Sequence, residues 1–266
     1  MSIPKLALVV AVALSSTACI KGLETTNERT AYVTAVTHQA ADSTYHLKLT
    51  GAFYRTEQAA SAIDTPDVCG IYAYSVNPPG VAYLPTLNAG QFLFTNVAGR
   101  VDTLFRSSAS GLTIYQLVST LGIPFSSGDT LRLTVPGDVD GFPPVQASVR
   151  LAERFNFDPV GEPGDGEALP LSWQAAAVPG SFVFFSLRFN STGISSEPNA
   201  QLFCVFQDDG AGSIDANLAI AWKSSVVESR SVFASRVRRS IVTIDERTRL
   251  VLFSYFDVPT PALADP

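Results

Sequence analysis

The chain has 266 residues, 46% of them hydrophobic and 16% charged, and a formal net charge of −6. That apolar content excludes a disordered chain. The acidic balance argues against nucleic acid or an anionic lipid surface as a partner.

The first residues follow an export-signal layout. Lys5 supplies a positive start, and Leu6 to Leu14 (LALVVAVAL) is an unbroken apolar run too short to span a bilayer. Small residues follow, and Ser16-Thr17-Ala18 directly precedes Cys19. This arrangement resembles the lipobox of bacterial lipoproteins, with Ser16 where that family prefers Leu. The resemblance implies cleavage after residue 18, a diacylglyceryl group on the Cys19 thiol, and anchoring in a membrane by lipid. Two or three acyl chains exceed what stable attachment needs. Residue 20 is Ile, not the Asp that retains such proteins at the inner membrane, so the resemblance implies the outer membrane. Losing Lys5 with the signal leaves the mature chain one charge more negative. Residues 1–18 therefore read as signal peptide and 19–28 as a lipidated tether.

Beyond the tether, apolar and polar residues alternate with period two, the signature of half-buried strands. Tyr45, Leu47, Leu49 and Phe53 alternate with His46, Lys48 and Thr50. Leu131, Leu133 and Val135 alternate with Thr130, Arg132 and Thr134, and Val145, Ala147, Val149 and Leu151 with Gln146, Ser148 and Arg150. Weaker strands are expected near 31–38, 70–75, 91–96 and 100–105. Turn signals separate them: Asn77-Pro78-Pro79-Gly80, Asn88-Ala89-Gly90, Ser127-Gly128-Asp129 and Pro136-Gly137-Asp138. Residues 112–121 fit two states: Leu112, Tyr115, Val118 and Leu121 share one helical face, whereas Thr113, Ile114 and Val118 suit a strand, and a short helix is the preferred expectation.

The segment 158–167 is dense in Pro and Gly and reads as a linker. A second β run follows. Leu169, Leu171 and Trp173 face one way, and so do Val183, Phe185, Leu187 and Phe189. Leu202 to Phe206 is continuously apolar, as in a strand buried on both faces. The last strands are expected at 231–238, 240–244 and 249–256. The size and strand spacing of this half resemble immunoglobulin- or fibronectin-type sandwiches. The stretch Cys204–Asp208-Asp209-Gly210–Ile214 resembles a pattern in bacterial lipoproteins of the same layout. The expected fold is all-β, with two β-sandwich modules at 29–157 and 168–258 and a tail at 259–266.

With Cys19 set aside, Cys69 and Cys204 remain, an even pair in an oxidising compartment. A bridge between them would close a long loop and contribute about 4–5 kcal/mol in the chain-entropy model. If they belong to separate cores, they are instead two buried thiols.

Candidate chemistry is thin. The two histidines, His38 and His46, have no nucleophile elbow near them, and His46 lies on the polar face of its strand. No zinc-ligand spacing occurs. Asp138 and Asp140, and Asp208 and Asp209, lie in loops that could offer oxygens to calcium, but Asp and Gly are also ordinary turn residues. No metal and no cofactor is expected. Trp173 and Trp222 are the candidate sugar- or peptide-binding aromatics, with Trp173 on a core-like face. Asn190-Ser191-Thr192 is an accidental glycosylation sequon, and Arg236-Val237-Arg238-Arg239 reads as a solvent-facing strand. The sequence thus points to a membrane-anchored, non-catalytic envelope lipoprotein with a structural or binding role, its expected partner an envelope protein or a glycan. The alternative is a glycan hydrolase using a carboxylate pair.

Overall fold

The computed structural model describes residues 28–39, 44–55, 66–75, 86–109, 112–119, 121–192 and 195–258. The signal segment, Cys19, the turn Asn77-Pro78-Pro79-Gly80 and the tail 259–266 lie outside the described residues.

The described chain is mostly β. The strands are β1 (Arg29–Gln39), β2 (Tyr45–Tyr54), β3 (Val68–Ala73), β4 (Phe92–Val97), β5 (Arg100–Ala109), β6 (Leu112–Leu117) and β7 (Ile123–Pro124). They continue with β8 (Thr130–Val135), β9 (Val145–Arg150), β10 (Leu169–Ser172), β11 (Ser181–Phe189), β12 (Ala200–Gln207) and β13 (Ala211–Ile214). A helix α1 (Ala216–Lys223) leads to the two longest strands of this half, β14 (Ser231–Asp245) and β15 (Thr248–Val258).

Thirteen of these strands form one sheet, ordered β3-β12-β11-β14-β15-β1-β2-β6-β5-β4-β8-β9, with β7 joined to β2. The pairings are antiparallel except β1 with β15, which run parallel. Strands from both sides of the 158–167 segment are therefore interleaved. The first strand lies between β2 and the last, and β3 pairs with β12. β10 and β13 form a separate two-stranded ribbon.

Alternation explains the inner face. β11 buries Val183, Phe185, Leu187 and Phe189 and half-exposes the residues between them. The ribbon covers that face: Trp173 packs on Phe185 and Phe206, and Phe157 meets Phe185 edge-on at 5.3 Å. Trp222 of α1 meets Phe189 edge-on. Toward the other end of the sheet, Val33, Leu47, Leu49, Phe53, Leu93, Leu104, Leu131 and Leu133 close a core that is continuous with the first. The opposite face of β11, β14, β15 and β1 carries a smaller cluster of Val237, Val251 and Phe253 with Tyr32, Phe182, Phe184 and Tyr255. Burial there pushes the Tyr255 phenol up to about 12.

Several expectations need correction. Residues 112–117 are a strand, not a helix. Of the supposed helical face, Tyr115 is buried, but Val118 and Leu121 are 73% and 62% exposed. Pairing with β2 and β5 on either side overrides the local pattern. The strands expected at 231–238 and 240–244 are one strand, β14. The helix α1 was not foreseen.

The Arg236–Arg239 cluster is not a solvent-facing strand either. Arg236 and Arg238 are buried, at 1% and 5% exposure, and Arg239 is half-buried. Arg236 donates through Nε and Nη2 to the Asp208 carboxylate, at 2.6 and 3.0 Å. Its other N–H groups reach the carbonyls of Glu153, Arg154 and Gln174. Arg238 reaches the carbonyls of Val178 and Pro179 and the Glu153 carboxylate. These guanidiniums bind loop backbone to the sheet, which a fork of N–H donors suits.

The Pro/Gly-rich segment is docked by the same means. Val160 and Pro163 are buried. Arg230 pairs with Glu162, Lys223 with Asp165, and the Trp222 indole donates to the Gly161 carbonyl.

Candidate binding groove

The outward faces of β4, β8 and β9 form a grid set by strand register. Phe94 stands opposite Thr134, which stands opposite Gln146. One step along, Asn96 stands opposite Arg132, which stands opposite Ser148, and Val101 of β5 extends that row. Ser240 and Val242 of β14 bound the far side. Together they line an open groove of about 560 Å³.

The period-two pattern creates this surface. Leu93, Leu131, Leu133, Ala147 and Val149 turn into the core, so their neighbours must turn outward. Phe94 is nevertheless 41% exposed and Val101 64% exposed. Next to them Phe92 and Phe105 form an exposed edge-to-face pair at 5.2 Å. An apolar platform thus adjoins planar amide and guanidinium groups and the hydroxyls of Thr95, Thr134, Ser148 and Ser240. Among the described residues no carboxylate lines the groove, and the one cation that does, Arg132, has no partner there. Such a surface can stack on a ligand and exchange hydrogen bonds with it. Its hydroxyls have no base beside them, as a serine or threonine nucleophile would need.

The residues singled out in the sequence lie elsewhere. Asp208 accepts hydrogen bonds from the Trp173 indole, the Ser181 hydroxyl and Arg236, so its lone pairs are directed at protein donors. Asp138 accepts from the Asn88 amide at 2.7 Å and from the Asp140 backbone N–H. Asn88 in turn lies within hydrogen-bond distance of the buried Tyr115 hydroxyl. Asp209 accepts from the Ala211 backbone N–H. Asp138, Asp140, Asp208 and Asp209 therefore act in turns and loop anchoring, and no cluster of three metal-ligating side chains occurs among the described residues.

Trp173 and Trp222 are both buried, at 6% and 1%, so neither offers a platform to a ligand. Asn190 is buried as well, and its side chain holds the turn through Glu197 and Thr192. Cys69 and Cys204 stand opposite each other on β3 and β12, and their sulfurs are bonded. His38 and His46 stand opposite each other on β1 and β2, and neither lines the groove.

The fold and groove define a mixed-sheet all-β protein with an open polar-aromatic surface. No family model, no curated protein and no solved structure matches the chain.

Proposed function

We propose that the protein is a membrane-anchored envelope lipoprotein with a structural or binding role. Lipid on Cys19 holds it at the outer membrane, and the groove engages an envelope protein or a glycan. The observation that carries the binding reading is the groove's composition. Phe94 and Val101 are exposed beside Asn96, Arg132, Gln146 and Ser148, with no acidic side chain among the described lining residues. A hydrolase working through paired carboxylates would need two of them across that space.

The two sandwich-like regions act as one body in this reading. Support comes from the β1–β15 and β3–β12 pairings and from the Cys69–Cys204 bridge.

Cross-linking in native envelopes tests the proposal. Phe94→Ala combined with Arg132→Ala changes two outward side chains, so stability shifts by roughly 0.5 kcal/mol or less per site. Recovery of the cross-linked ligand falls at least tenfold while the protein stays at the membrane. Equal recovery with both proteins contradicts the groove, and glycan cleavage by the wild type contradicts the non-catalytic role.

A further inference from the structure

The chain contains two histidines, and the fold sets them directly against each other. We infer that His38 and His46 form a two-ligand site for a divalent transition-metal ion.

Residues directly opposed across antiparallel strands project from the same face, so both imidazoles reach one space. Their ring centroids are 6.0 Å apart. An ion about 2.0–2.1 Å from a ring nitrogen lies about 3 Å from that ring's centre, so two rings flanking one ion have centres up to about 6 Å apart. The Nδ1 atoms of both rings are shielded from solvent and have no hydrogen-bond partner. Buried polar atoms without a partner are uncommon, and an ion between the rings would give both nitrogens one.

The surroundings favour ligation. The His46 Nε2 is 2.9 Å from the Thr44 hydroxyl. A proton held there leaves Nδ1 as a bare lone pair, the form a metal needs, and a bond to the other nitrogen commonly orients a ligating imidazole. Imidazole pairs suit copper, nickel and zinc, with copper bound most tightly of the three. Lys48 works against binding, because its ammonium repels the ion.

Titration calorimetry of the tag-free full chain with Cu²⁺ and with Zn²⁺ tests the site, with thermal melts to confirm that each variant folds. The wild type binds one ion per chain, copper more tightly than zinc. His38→Ala and His46→Ala each weaken copper binding at least tenfold, whereas Lys48→Gln strengthens it about twofold. A histidine pair that merely packs gives no saturable binding in the wild type, and that result overturns the site. Binding that survives both histidine substitutions places the ion elsewhere and overturns it equally.

Discussion

Arg236→Met lowers the stability of the protein by about 3–5 kcal/mol, the cost of leaving one member of a buried ion pair without its partner. Arg236 and Asp208 have side chains only 1% and 2% exposed. Methionine retains most of the apolar stem, so the loss isolates the guanidinium. Five contacts disappear with it: two to Asp208 and one each to the carbonyls of Glu153, Arg154 and Gln174. Asp208 then keeps only the Trp173 and Ser181 donors in a place that water does not reach. For a chain of this size the melting temperature falls by roughly 10 °C, at about 2–4 °C per kcal/mol. Urea unfolding measures the effect. Adding Asp208→Leu removes the stranded charge and restores part of the loss, though the Trp173 and Ser181 donors remain unmet. A loss below about 1 kcal/mol for Arg236→Met would show that the guanidinium does not hold these loops.

Loss of the disulfide has the second large effect. The bridge spans 135 residues and ties β3, a terminal strand of the sheet, to β12. Changing both Cys69 and Cys204 to serine costs about 2–5 kcal/mol, chiefly by freeing the unfolded chain. The folded state also suffers locally. β3 exposes Val68, Ile71 and Tyr72 and, among the described residues, pairs on one side only, so the bridge is its strongest tie. Thermal unfolding with and without reductant gives the size of the loss. Limited proteolysis locates it, with first cuts around β3. Unchanged melting after complete reduction would contradict a stabilising bridge.

Much of the sheet was legible because alternation reports one buried face. Leu131, Leu133 and Val135, or Val183, Phe185, Leu187 and Phe189, mark a strand and its inner side together. Pairing is not local. Nothing in Arg29–Gln39 says that it will lie beside Thr248–Val258, and nothing in Val68–Ala73 names Ala200–Gln207 as its neighbour. The cysteines carried one hint of the second pairing, since each sits in an apolar strand.

Arg236 and Arg238 misled for a related reason. A charged run is usually solvated, and only tertiary structure brings carbonyls and Asp208 to meet it. The groove was half visible. Arg132, Thr134, Gln146 and Ser148 are the polar positions of two evident strands, but no local rule marks Phe94 or Val101 as outward-facing. The opposition of His38 and His46 follows from the β1–β2 register, which their spacing alone does not fix.

In the proposed reading a lipid on Cys19 gives the groove its place in the cell, and one measurement addresses that proposal most directly. The mature protein is recovered from washed cell envelopes and its intact mass and first residue are determined. A chain that begins at Cys19, carries acyl mass on that residue and leaves the membrane only in detergent is the predicted result. An unacylated chain released in plain buffer would contradict it.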